Sequence, residues 1–266
     1  MSEPVDIYTL TKLKHDFEKL GVRPGMTLLV HTSLKSVGEV CGGPVAVILA
    51  LEELLTEKGT LVMPTFNTNL TDPAKWTAPP VKQSQIQSVL DEMPPFDVEF
   101  TPTRGMGCVS ETFRTQTGVT RSPHPHLSVA AWGKHAKHLC EEHPLKYGLG
   151  EESPLARMYE LGGYVLLLGV GHDNNTSMHL AEYDSRKNES RLVQKAPMIV
   201  DGTRRWVEFD EIDLDNSDFT EIGESFEAHT EEVHVGRVGN AVARFMPQVS
   251  LVDYAKNYMS QQAAEN

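Results

Sequence analysis

Apolar positions along the chain fall into segments of helical and of extended period. Leu10, Leu13, Phe17 and Leu20 keep helical spacing behind Thr9, and Gly21 stops the pattern before Val22-Arg23-Pro24-Gly25. Met26 to Val30 reads as a buried strand. A loop from His31 to Gly43 follows, and Pro44 suits the first position of an apolar helix that runs to Leu55. The helix ends near Lys58-Gly59, and Thr60 to Met63 is the next short strand, which completes a strand-helix-strand unit.

The same pattern returns later. Tyr164 to Leu168 is a short apolar run bounded by glycines, Gly169 and Gly171 allow a tight turn, and Asn174, Asn175 and Thr176 are each acceptable helix N-caps. Val207-Glu208-Phe209 and its neighbours suggest hairpin strands, and Phe219 to Ala228 a helix. Asn67 to Pro102 has little periodicity and is long for a structureless connection, so it is expected to form an active-site flap or a small subdomain. Val109 to Gly133 mixes short helical and extended signals. These elements predict one α/β domain over residues 1–266, a mixed central sheet flanked by helices with a smaller lobe over the active-site cleft.

With 266 residues and 39% hydrophobic content, the chain can bury a large core. No apolar stretch reaches the roughly 20 residues of a membrane helix, and the start lacks the layout of a signal peptide, so a cytoplasmic protein without membrane attachment is expected. Cys41, Cys108 and Cys140 have no CxxC spacing and read as reduced thiols. A formal charge of -13 argues against a nucleic-acid partner and suits a small cationic amine. A homodimer is compatible with these residues but not required by them.

The candidate chemistry sits in three places. The loop after the first strand offers the hydroxyls of Thr32, Ser33 and Ser36, the cation of Lys35 and free backbone amides, which is what a phosphate needs; an anion cradle and a plain turn both remain open readings, since neither GxGxxG nor a Walker loop is present. Beyond the later strand, His179 and Glu182 stand three residues apart, on one face if Asn175 or Thr176 caps the helix. That pair can act as a general base and its carboxylate partner, with Asp173 as an alternative partner across the turn. His124 and His126 form an H-x-H pair that could join His172, Asp173 or Glu182 in a zinc site, but the spacing is a weak metal signal; no metal is expected, and a pocket-bounding role with Ser128 as donor is preferred. Ser33, Ser122, Ser177 and Cys108 are possible nucleophiles, but no GxSxG elbow exists, and Cys108 reads as a small core residue in a tight strand. Direct transfer to an acceptor is therefore favoured over an acyl-enzyme.

Taken in order, His31-Thr-Ser-Leu-Lys-Ser-Val-Gly38, Val62-Met-Pro-Thr-Phe66, Thr103-Arg-Gly-Met-Gly107, Arg121-Ser-Pro-His-Pro-His-Leu-Ser128 with its continuation to Gly133, Gly148 to Leu155, and Leu166 to Tyr183 resemble the aminoglycoside 3-N-acetyltransferase family over most of the chain. The resemblance implies the antibiotic N-acetyltransferase-like fold and an antibiotic-resistance acyltransferase using acetyl-coenzyme A. It implies that the cofactor is held by His31, Thr32, Ser33, Leu34, Lys35, Ser36, Val37 and Gly38, with Val109, Arg121, Ser122, His124 and Ser128. His179 would be the base for the 3-amino group of a 2-deoxystreptamine ring, with Glu182 as its acidic partner. Asp173 and Asn175 would face the acceptor, and Glu221 or Glu224 could add negative charge. An acceptor other than an aminoglycoside is the competing expectation, because the flap carries few acids, among them Asp72, Asp91, Glu92 and Asp97, and a metal-dependent hydrolase is a less ready one.

Overall fold

The structure, a computed structural model, describes residues 4–186 and 191–265. The chain opens with β1 (Ile7–Tyr8), α1 (Leu10–Leu20), β2 (Thr27–Thr32), the single turn α2 (Leu34–Val37), β3 (Glu39–Val40), α3 (Gly43–Leu55) and β4 (Thr60–Pro64). The flap follows, with two 3-10 turns and α4 (Ile86–Glu92), and then α5 (Gly107–Arg114), β5 (Thr120–Arg121) and β6 (Val129–Gly133). Next come α6 (Ala136–Cys140), α7 (Pro154–Glu160), β7 (Tyr164–Leu168) and α8 (His179–Arg186). The chain closes with β8 (Arg191–Val200), β9 (Thr203–Ile212), α9 (Phe219–His229), β10 (His234–Val238), β11 (Ala241–Pro247) and α10 (Gln248–Glu265).

Seven strands form one mixed sheet in the order β10-β11-β7-β2-β4-β6-β5. β2 lies parallel to both β4 and β7, while β11 adds to β7 and β6 adds to β4 antiparallel. The apolar runs of β2 and β7 are buried on both faces, which is why they lack polar alternation. Leu28, Val30, Leu166 and Leu168 face one cluster with α1, α3 and α5. Leu29 turns to the other face with α6 and α7, and Val165 and Leu167 turn there to meet α9 and α10. Each fully buried side chain of this kind contributes about 1.5–3 kcal/mol, so the sheet is a rigid platform for whatever its strand ends carry.

The expected loop after β2 contains a turn of helix. Ser33 accepts a hydrogen bond from the Ser36 amide and caps α2, so Ser36, Val37 and Gly38 turn away from the strand end. The segment expected as flap or subdomain has its own core: Leu70, Met93 and Phe96 are buried with Trp76, Val89, Val98 and Trp206 packed around them. Trp206 belongs to the β8–β9 hairpin, and its Nε1 donates to the Leu90 carbonyl at 2.8 Å, so flap and hairpin together make the smaller lobe. Asp201 and Gly202 both have positive φ at the hairpin's two-residue turn, the backbone that a right-twisted hairpin requires. Among the described residues, no helix is long and apolar enough to cross a membrane.

Candidate active site

A cleft of about 510 Å³ opens beyond the carboxyl ends of the parallel strands β2, β4 and β7, where ligands bind in open α/β sheets. One wall is the stretch His31–Lys35, and Pro64 and Phe66 at the end of β4 flank it. A second wall is Gly105–Cys108 with Ser110, at the start of α5. The third is the turn Asp173–Thr176 with His179, joined by Asn216.

On the third wall His179 begins α8, and its Nδ1 lies 2.5 Å from Glu182 Oε2, one helical turn on. Glu182 is fully buried, and its Oε1 accepts the Asp215 amide at 2.9 Å, so both carboxylate oxygens are held. With Nδ1 taken, Nε2 is the ring nitrogen for which no described residue supplies a bond. The imidazole packs on Phe219 at 4.8 Å between centroids, which fixes its plane. A second buried carboxylate, Glu211, lies within reach of the His179 charge; burial raises its pKa while the Tyr183 hydroxyl donates to it.

Opposite stands His31, which is buried and hydrogen-bonded through Nε2 to the Thr176 hydroxyl at 3.3 Å. Burial first, and the nearby His179 charge second, lower its pKa to about 3, so it remains neutral. Asn175 is fully buried on the cleft wall, yet among the described residues neither its Nδ2 nor its Oδ1 has a hydrogen-bond partner, and Thr32 Oγ1 is likewise unpaired. Each such atom costs about 1–3 kcal/mol when unpaired.

The turn bearing Asp173 and Asn175 is braced from behind. His172 Nε2 bonds Glu227 Oε1 at 2.7 Å, and Arg244 Nε donates to that oxygen at 2.6 Å. Burial lowers the His172 pKa, and Glu227 acts against that shift. Gly223 of α9 lets the helix approach: a Cβ there would lie 2.0 Å from His172 Cγ. Asp173 accepts Asn216 Nδ2 on its backbone oxygen at 2.7 Å and leaves its carboxylate exposed.

The structure brings His31, Thr32, Ser33, Leu34, Lys35, Asp173, Asn175 and His179 to the cleft, and it places Glu182 directly behind His179. It sends the other expected residues elsewhere. Ser36 bonds Ser33 and the Gly169 carbonyl, Val37 is buried in the core, and Gly38 lies against Asn240. Val109 also points into the core, because the face of α5 it occupies packs on the sheet. Arg121 is enclosed, with its guanidinium donating to Ser128 Oγ and to the carbonyls of Thr65, Val98 and Thr101; burial lowers its pKa to about 10. Ser122 bonds His143 and the Val129 amide. His124 Nδ1 accepts the amides of His126 and Leu127, and its Nε2 faces the Leu145 carbonyl. These residues lock the loop before β6 and do not line the cleft.

Further corrections concern helix contacts. Glu221 accepts the Tyr258 hydroxyl on the exposed side of α9, and Glu224 is not among the cleft's lining residues. Asn175 makes no capping bond; two 3-10 turns lead into α8 instead. Cys108 is exposed in the first turn of α5, on the cleft wall, and not a core residue of a strand. Its neighbours Gly105, Met106 and Gly107, together with Phe66 and Asn216, are cleft residues that spacing alone did not single out. The sequence signal for the first group was the pair Gly105 and Gly107, both of which adopt positive φ. Among the described residues no group of three His, Cys, Asp or Glu could hold a metal ion.

Comparison with known proteins identifies the family and the fold. The family described as aminoglycoside 3-N-acetyltransferase matches residues 29–260. The SPbeta prophage-derived aminoglycoside N(3')-acetyltransferase-like protein YokD of Bacillus subtilis is 42% identical over 97% of this chain and 94% of its own. The crystal structure of YokD superposes with a TM-score of 0.95 at 41% identity, covering 98% of this chain and 97% of that one. Aminoglycoside N(3)-acetyltransferase III of Pseudomonas aeruginosa is 33% identical over 95% of this chain and 93% of its own. AAC-IIIb, solved as a binary with CoASH, superposes with a TM-score of 0.86 at 27% identity, over 97% of this chain and 98% of that one. On fold and sequence together, the chain belongs to the aminoglycoside 3-N-acetyltransferase family and is an acyltransferase.

Proposed function

We propose that the protein transfers an acetyl group from acetyl-coenzyme A directly to an amine, the 3-amino group of a 2-deoxystreptamine ring being the acceptor that the family points to. The observation that carries this reading is the cleft-lining His179, with Nδ1 fixed by a fully buried carboxylate and Nε2 left for the substrate.

Acetyl-coenzyme A supplies an acyl carbon activated as a thioester. Ser33, Lys35 and the uncapped start of α5 are the groups that would hold its anionic portion, and the unpaired Asn175 amide and Thr32 hydroxyl fit a polar group seated between the walls. An alkyl amine has a reference pKa of about 10 and reaches the site as a cation. Asp173 binds that cation, and His179 Nε2 removes a proton so that the nitrogen lone pair can attack the carbonyl carbon. Glu182 stabilises the imidazolium that forms. The ring passes that first proton to solvent, takes the second proton that the nitrogen sheds as the carbon–nitrogen bond forms, and returns it to the thiolate when the carbon–sulfur bond breaks, so the products are an N-acetyl amine, a free thiol and one proton released to solvent.

One observation favours a different amine as acceptor. Asp173 is the sole carboxylate among the lining residues, which is thin support for a polycation. The test is thiol release from acetyl-coenzyme A with 2-deoxystreptamine drugs and with simple polyamines. Release with the drugs supports the family acceptor. Tight coenzyme A binding with no release for any amine sinks the catalytic reading.

A further inference from the structure

The flap encloses a second hollow, of about 610 Å³, beside the cleft. Lys75, Lys82 and Arg104 line it, and among the described residues no Asp or Glu does. In a chain with 37 acidic and 24 basic residues, three cations without a carboxylate is a local reversal of the protein's charge. None of the three makes an ion pair among the described residues. Asp72, whose charge Lys75 also feels, is committed to Lys195 at 2.9 Å.

Arg104 and Lys75 are held in place. Arg104 donates to the Asn69 side chain, and its backbone amide bonds the Phe66 carbonyl at 2.9 Å. Lys75 Nζ donates to the Val193 carbonyl of β8 at 2.8 Å. Trp76 presents a ring fixed by its Nε1 bond to Thr71 at 2.9 Å and packed on the flap's core. An aromatic plane beside three cations binds a ring that carries phosphate or carboxylate, and it repels a polycation.

The linings of the two hollows meet along the chain. Gly105 lines the cleft while Arg104 lines the flap hollow, and Phe66 and Asn69 divide in the same way. Consecutive Cα atoms are about 3.8 Å apart, so the two linings come within one residue of each other at Arg104 and Gly105. We propose that the flap hollow seats an anionic group of the acceptor, which makes the preferred substrate an amino sugar bearing phosphate or carboxylate. This rests on the acetyl-transfer reading above, with the cofactor's phosphates held at Ser33, Lys35 and α5.

A matched pair of acceptors, glucosamine and glucosamine 6-phosphate, tests it by thiol release from acetyl-coenzyme A, with wild type, Arg104→Glu and Lys82→Glu. The phosphate is expected to raise kcat/KM by at least about tenfold in wild type, and each variant collapses that ratio while the Kd for coenzyme A holds. Equal or lower kcat/KM for the phosphate ester overturns the proposal. So does a variant that weakens coenzyme A but not dephospho-coenzyme A, since the hollow would then serve the cofactor. Calorimetry on the coenzyme A-loaded protein separates the two readings: binding of glucosamine 6-phosphate that Arg104→Glu abolishes, without acetylation, keeps the anion site and counts against acetyl transfer, whereas no phosphate-dependent binding removes the site.

Discussion

Glu182 grips His179 at 2.5 Å with one oxygen and the Asp215 amide with the other. A buried carboxylate held at both ends cannot swing away as charge develops on the ring. His179→Ala is expected to lower turnover by roughly 100-fold or more, because base catalysis contributes that much. Glu182→Gln keeps the shape without the charge and is expected to lower kcat by about 10- to 100-fold with little change in KM. Thiol-release kinetics measure both, and unchanged turnover in the alanine variant would discard the mechanism.

Asn175 separates stability from activity. Its buried amide has no partner among the described residues, so Asn175→Ala removes an unpaired group and leaves Tm unchanged or raised. The same change should lower kcat/KM by about tenfold, the worth of one or two polar contacts to the substrate. A variant several degrees less stable with normal kinetics would show that the residue serves packing instead.

Gly223 works through contact. Alanine there forces the His172 ring aside, since a Cβ would lie 2.0 Å from Cγ. Overpacking of this kind costs about 1–3 kcal/mol. The expected result is a lower denaturation midpoint together with reduced activity, because His172 braces the turn that carries Asp173 and Asn175. Denaturant unfolding and thiol release on the same preparation decide it.

Arg121 is a structural residue in this fold. Its guanidinium donates to Ser128 and to three backbone carbonyls in an enclosed site. Lysine cannot span that set, so Arg121→Lys is expected to destabilise by about 2–4 kcal/mol. Coenzyme A affinity, measured calorimetrically below the unfolding transition, should hold; a selective loss of cofactor binding would return Arg121 to the cleft.

Acid stability follows from the buried histidines. Burial lowers His143 to about 4 and His31 to about 3 from the ordinary 6.5. Unfolding frees each ring to take a proton, so the unfolded state binds more protons once the pH drops below 6.5. Stability from these groups is complete above that pH and is lost as the pH falls toward the folded values. The slope is about 1.4 kcal/mol per pH unit for each proton. His143→Gln is expected to flatten the dependence of unfolding free energy on pH between about 6 and 4. An unaltered slope would mean that His143 carries its proton in the folded state.

Much of this was legible in the residues. The continuous apolar runs of β2 and β7 could only be strands covered on both faces, and the three-residue spacing of His179 and Glu182 could place them on one helical face. Other parts were not legible, for physical reasons. β10 is an edge strand interrupted by Gly236 with exposed His234 and Val235, and α10 mixes Ser, Asp, Lys and Asn into its apolar stripe, so neither stood out by period. Arg121 and His124 carry functional chemistry in type, but only the folded chain shows their donors and acceptors spent on backbone groups. Cys108 looked like a small core residue because nothing in its neighbours marks a helix N-terminus, until Gly105 and Gly107 turn the backbone there.

β7, the strand that leads into the His179 turn, is flanked by β2 from near the chain's beginning and by β11 from near its end. Because residues 241–247 supply that last neighbour, the strand cannot acquire its full ladder on the ribosome until those residues have been made. The first half can assemble its strand-helix-strand unit early, but the wall that holds His179 closes only afterwards. A nascent chain stalled short of β11 therefore carries every cleft residue while β7 lacks one of its two neighbours.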